Sequence, residues 1–228
     1  MREQRTIEVL EALVGFDTTS RNSNLALVEW VEAHLDRFGV AHERVPDKTG
    51  RKANVWATIG PSGVPGTILS GHTDVVPVEG QSWSNDPFRL TARNGRLYGR
   101  GATDMKGFDA CCLAAVPDMV AAPLTRPIHL ALSYDEEVGC IGVRGMIARL
   151  KRAEMKPAAC FVGEPTEMDG GDRAQGQALV PRHRAWQDLS FVARAARGEC
   201  GRICRAPDHE NPRHPRPPGT LRRARSAL

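Results

Sequence analysis

The sequence lacks any run of ~18 apolar residues, the length a helix needs to cross a bilayer, so no transmembrane helix is expected. Its start, "MREQRTIEVLEALVGF", lacks the uninterrupted apolar stretch and small-residue cleavage site of a secretory leader. It reads instead as an amphipathic helix, and a cytosolic location is the expectation. The cysteines (Cys111, Cys112, Cys140, Cys160, Cys200 and Cys204) lack the paired spacing of a zinc finger. The first four lie in apolar runs, where a thiol behaves as a small hydrophobe, so no disulfide framework is expected. There is no internal repeat. Lysine is missing altogether from residues 169–228, which carry twelve Arg and six acidic groups and are therefore +6. With a total of +4, the preceding residues are −2.

What is present up to Met168 is an ordinary alternation of strand and helix patterns. The first helix is expected to run on through Glu8 to Phe16. "SNLALVEWVEAHLDRFGV" reads as a second helix, with Ser23 as N-cap, Leu27, Val31 and Leu35 on one face, and Gly39 as the stop. "ANVWATIG" reads as an alternating strand and "GTILSGHTDVVP" as a short buried one. Asn94-Gly95 supplies a tight turn inside "FRLTARNGRLYGRG". "KGFDACCLAAVPDMVAA" is an apolar helix that Pro117 breaks or kinks. A strand in "RPIHLALSYDEEVG", a helix in "GVRGMIARLKR" and a strand in "AACFVGEP" follow. Such alternation predicts an α/β fold with a parallel or mixed sheet.

Polar groups cluster where these strands end, the place where open α/β sheets bind ligands. They are His72 and Asp74 in "SGHTD", Asp104 in "GRGATDMKG", Asp135, Glu136 and Glu137 in "YDEEVG", and Glu164 in "VGEPT". An imidazole with several carboxylates suits zinc, cobalt or manganese. Alternate side chains of an extended segment share a face, so Asp74 can accept the second ring proton of His72 and fix its tautomer. Adjacent Glu136 and Glu137 point apart, so one can bind metal while the other faces a water. Taken singly, each group also has a plain reading as a surface residue, a helix cap at Asp104, or a solvated acidic loop. All of them in order at strand ends or opening a helix are harder to explain that way.

"GHTDVVP", "LYGRGATDMKGF", "DEEVG" and "GEPT" resemble the M20 family of metallopeptidases and deacylases, over roughly residues 5–168. The resemblance implies the N-terminal part of a zinc-aminopeptidase-like catalytic domain, with a mixed sheet between helices. It implies that His72, Asp104 and Glu164 hold one metal ion, Zn2+ or Co2+. Asp104 would bridge to a second ion, which Glu137 also binds. Asp74 would orient His72, and Glu136 would be the general base. The longer stretches resemble most the branch that hydrolyses N-acetylornithine to ornithine and acetate in arginine biosynthesis. N-succinyl-diaminopimelate and dipeptides are the alternative substrates. The family is also longer and homodimeric. Its inserted dimerisation domain carries an oxyanion-stabilising histidine, and a last histidine ligates the second metal. Neither matches a residue here: His183, His209 and His214 lack the expected surroundings.

The stretch after Met168 has its own expectation. Read one base later, codons for Asp172–Gln177 permit "IGHKGK", those for Leu189–Ala195 permit "SHSSLAP", and those for Glu199–Cys204 permit "NAVEY". These are segments of the kind the family carries in this region. A single-base change just after the Met168 codon is therefore expected, with residues 169–228 read out of frame. Such a tail has little to offset the entropy of ordering, and a truncated, inactive enzyme is the expectation. Sequencing the gene checks this directly. A basic tail that recruits nucleic acid is the competing reading from another class. It is disfavoured by the absence of lysine and of any repeated motif, and by the wide separation of Trp186 and Phe191.

Overall fold

Val9, Leu10, Leu13 and Val14 recur at helical spacing and give the first helix, α1 (Arg2–Val14), one buried stripe. The structure is a computed structural model that describes residues 2–154 and 156–165. After α1 come α2 (Leu25–Asp36), β1 (Ala41–Pro46), β2 (Ala53–Ile59) and β3 (Thr67–His72). The hairpin β4 (Thr91–Arg93) and β5 (Arg96–Tyr98) precedes α3 (Lys106–Ala114) and α4 (Val116–Ala121). The series ends with β6 (Ile128–Ser133), α5 (Val143–Arg152) and β7 (Ala159–Val162).

The strands form a mixed sheet in the order β1-β2-β6-β3-β7. β1 and β2 are antiparallel, as are β2 and β6, whereas β3 runs parallel to both β6 and β7. On one face Leu69, Leu130, Leu132 and Val55 pack against Leu10, Leu13, Val31, Leu35 and Leu113 of the helices. On the other face Trp56, Ile68 and Ala131 meet Met146, Val143 and Leu150 of α5. A fully buried leucine contributes about 1.5–3 kcal/mol, so the first face, with Leu10, Leu13, Leu35 and Leu113 almost fully covered, dominates the core.

Several expectations meet corrections. α1 stops at Val14, before Phe16. The N-cap of α2 is Asn24, whose amide is taken up by both backbone groups of Ala53, while Ser23 Oγ accepts from Leu25 N–H at 3.2 Å. Gly39 does end that helix region, at φ +64° with its N–H on Asp36 O. β2 does not alternate in burial, because both faces are covered. Asp104 caps nothing: the N-cap of α3 is Met105, joined to Asp104 by a cis peptide. Pro117 opens α4, splitting the apolar segment into two helices. β1 escapes the sequence reading because "HERVP" is a half-exposed edge strand with no apolar run. Cys111 and Cys112 are buried, but Cys140 and Cys160 are exposed. No helix among the described residues is long and apolar enough to cross a membrane.

Candidate metal centre

Parallel β3, β6 and β7 point their C-terminal ends the same way, so the segments leaving them converge. His72 is the last residue of β3, Asp135 to Glu137 follow β6, and Glu164 follows β7. Asp104 comes from the loop that enters α3. Residues at the start of α2 and before it close the rear: Thr19 bridges to Val75, and Thr18 Oγ1 donates to Thr73 O at 2.5 Å.

His72 is 1% exposed and stands at the centre. Its Nε2 lies 3.1 Å from Asp104 Oδ1, 3.7 Å from Glu164 Oε1 and 3.8 Å from Glu136 Oε2. Its Nδ1 lies 2.9 Å from the carbonyl oxygen of Asp74 and 3.4 Å from that residue's Oδ1. The main-chain carbonyl of Asp74 is thus the closer acceptor, with the carboxylate expected to take the ring proton just beyond it. That carboxylate also serves the opposite loop. Its Oδ1 accepts Glu136 N–H at 3.0 Å, and its Oδ2 accepts Glu137 N–H at 3.3 Å and Ser20 Oγ–H at 2.7 Å.

Ligand atoms converge in two triplets that share His72. One is His72, Glu136 and Glu164, and the other is His72, Asp104 and Glu137, with atoms in each within 4.8 Å of one another. Each expected ligand falls in one triplet or the other, but Asp104 and Glu164, expected on one ion with His72, fall in different triplets, and Glu136, read as the base, stands with Glu164. Among the described residues no Lys or Arg forms a direct ion pair with Asp104, Glu136, Glu137 or Glu164, although the half-buried Arg100 acts on Glu137 and Asp104 from further away. Burial and then the Asp104 charge push Glu137 up to about 7. Burial likewise raises Glu164 to about 7, with Asp104 and Glu136 adding to it. Burial alone would lower His72, but the Asp104 and Asp74 carboxylates outweigh it and push the imidazole up to about 11. A proton at Nε2 thus takes the place of a positive charge that the carboxylates demand. This donor set, one imidazole and four carboxylates without a direct Lys or Arg partner, fits a divalent cation.

Two groups here escaped the sequence reading. Ser20 holds Asp74 from a loop distant in sequence, and nothing local marks it. Asp109 is buried, and burial pushes it up to about 8. Its Oδ1 has no hydrogen-bond partner and occupies the space a side chain on Gly71 would need, 1.9 Å from an added Cβ. An acid in the middle of the apolar run "GFDACCLAA" was its available signal. Neighbouring Lys106 is also buried, with Nζ on Phe16 O at 2.8 Å, and burial lowers it to about 7. Residues 169–228, with His183, His209, His214, Cys200, Cys204 and the reading-frame expectation, lie outside the described residues.

The sequence profile of Peptidase family M20/M25/M40 matches residues 68–208, running past Met168 into the Arg-rich stretch. Acetylornithine deacetylase of Proteus mirabilis is 38% identical over 165 residues, 72% of this chain and 42% of that protein. The enzyme of the same name from Myxococcus xanthus is 40% identical over 165 residues, 70% of this chain and 41% of its own. The chain therefore spans less than half the length of these relatives. Human carnosine dipeptidase 1 superposes with TM-score 0.61 at 25% identity, covering 70% of this chain and 38% of its own. A metallo-carboxypeptidase of the M20 family from Sulfolobus solfataricus gives 0.60 at 23% identity, covering 69% and 37%, and shares the fold.

Proposed function

Because the chain belongs to Peptidase family M20/M25/M40, whose members are metal-dependent hydrolases, we propose that its centre serves hydrolysis of the amide of an N-acyl amino acid, N-acetylornithine foremost. The observation that carries the reading is the meeting of Asp104, Glu136, Glu137 and Glu164 in two triplets that share His72. His72, Asp104, Glu137 and Glu164 would hold divalent cations, Zn2+ or Co2+. Bound there, the cations would acidify a water and polarise the amide carbonyl.

The chain's own residues do the rest. His72 donates Nδ1–H to the Asp74 carbonyl, so Nε2, which faces the acidic cluster, is the nitrogen that would exchange its proton for a cation. Asp74 holds the Glu136 and Glu137 peptide N–H groups on one carboxylate and so sets where both glutamates project. Burial opposes its ionisation, but His72, Ser20 and the Glu136 N–H hold it below the usual carboxylate range. Glu136 is the proton carrier in this reading: its carboxylate takes the proton of the attacking water and returns it to the leaving amine.

Preference for N-acetylornithine over N-succinyl-diaminopimelate or a dipeptide rests on the deacetylase relatives, at 35–40% identity. Homodimerisation, residues 1–168 as one portion of the catalytic domain, and a cytosolic setting belong to the same proposal. The test is turnover of the three substrates with added Co2+, using the 228-residue chain and a gene with the frame after Met168 restored. Release of acetate and ornithine by the restored protein supports the reading. A preference for another substrate replaces the first choice, and no amide hydrolysis by either protein overturns it.

A further inference from the structure

Lys52 lies just before β2, far in sequence from every residue of the centre, yet it reaches the loop that carries both glutamates. Its Nζ is 2.5 Å from Asp135 Oδ1, and the two side chains are only 16% and 14% exposed. The same Nζ donates to the carbonyl oxygen of Ser20 and lies 6.0 Å from the centroid of the Tyr134 ring. Ser20 Oγ in turn donates to Asp74 Oδ2, the atom that also accepts Glu137 N–H. One ammonium group thus ties together two segments that meet at Asp74: the loop before α2 and the turn after β6.

The turn needs such a tie. Asp135 has φ +55°, a left-handed conformation that a non-glycine residue adopts when its surroundings hold it there. Past it, Glu136 N–H and Glu137 N–H reach the Asp74 carboxylate, and Gly139 and Cys140 N–H return to Glu136 O at 2.9 Å. The direction in which the glutamates project therefore depends on the Asp135 peptide staying in place. A half-buried ion pair with a second acceptor on the same nitrogen restrains it far better than an exposed pair.

We infer that Lys52 is a positioning residue for Glu136 and Glu137, acting through Asp135 and Ser20 to hold the glutamate turn against Asp74. The inference rests on the metal-hydrolase reading for its consequence, while the tie itself is tested without metal. In the chelator-treated 228-residue chain, amide hydrogen exchange at Glu136 and Glu137 is compared with that in Lys52→Met, Lys52→Arg and Asp135→Asn. Lys52→Met and Asp135→Asn are expected to speed exchange at these amides about tenfold, beyond any general change. Lys52→Arg is expected to retain most of the protection. Co2+ alone is then titrated and followed by its visible absorption. The same two variants are expected to bind about 10–100-fold more weakly with an altered band, as loss of a group that supports metal ligands does.

Gly39→Ala, at a remote helix end, controls for lost stability: it should leave both the band and the affinity unchanged. Protection and Co2+ binding unchanged in Lys52→Met and Asp135→Asn would overturn the inference. Should Lys52→Met not fold, Asp135→Asn decides alone. If the unsubstituted chain takes up no Co2+, the metal-hydrolase reading fails, and the exchange rates still decide whether Lys52 holds the turn.

Discussion

At His34 a titratable ring is buried with both nitrogens engaged. Nε2 faces Leu113 O at 3.0 Å, and Nδ1 faces Arg37 Nη2 at 2.7 Å. Arginine only donates, so Nδ1 accepts, Nε2–H donates, and the ring is neutral. Burial lowers its affinity for a proton, and the Arg37 charge adds to this, below the ordinary value of 6.5. A depressed histidine adds stability that is present above its unfolded value and fades as the pH falls toward the folded one. Between pH 7.5 and 5.5 the urea midpoint of the parent should therefore move further downward than that of His34→Gln, whatever the other titrating groups add to both; equal slopes in the two proteins would refute this. Gly71 makes a steric prediction. A methyl group there meets buried Asp109 Oδ1 at 1.9 Å, so Gly71→Ala should cost about 1–3 kcal/mol by overpacking, read from the same midpoints. At this scale the site was legible where chemistry gathers at strand ends, as at His72, Asp74, Asp104, Glu136, Glu137 and Glu164. Lys52 and Ser20 were not, because each acts only through a contact made by folding.

Among the elements, α5 is the least anchored helix. Met146 is its only buried residue, and Val143 and Leu150 are partly covered beside it. Truncating a buried methionine to alanine costs about 2–5 kcal/mol. In Met146→Ala that loss should fall first on α5 and not on the whole fold, since the larger core lies on the opposite face of the sheet. Hydrogen exchange should accelerate across Val143–Arg152 while β2 and β6 stay protected; uniform acceleration would contradict a separate cluster. The same asymmetry governs what was readable. Elements with an apolar run or a sharp stop were evident: β3, β6, α2 with Gly39, and the hairpin turn at Asn94 and Gly95, at φ +52° and +70°. β1 was hidden because an edge strand needs few apolar residues. The covering of both β2 faces was hidden because α5 lies distant in sequence.

Across the whole molecule, strand order and charge combine. β3, β6 and β7 gather carboxylates onto one imidazole, and Glu137 and Glu164, raised to about 7, bind protons that a cation must displace. Ligand protons compete with metal, so binding releases protons and strengthens as the pH rises. A cation that binds only the folded chain adds stability by mass action. The rise in melting temperature on adding Co2+ to chelator-treated protein should therefore be small at pH 5.5 and grow through pH 7.5. With both glutamates raised to about 7, they hold more of their protons without metal at the lower value than at the upper one. Replacing Glu137 and Glu164 together by Gln keeps their volume and removes their share of the displaced protons with their charges. That variant should lose the Co2+ response at every pH while its metal-free melting temperature at pH 7.5 rises, because mutual repulsion among the carboxylates is gone. A metal-free variant less stable than the parent at pH 7.5 would show that these carboxylates stabilise the empty fold, and the charge argument for a cation at this centre would fail with it.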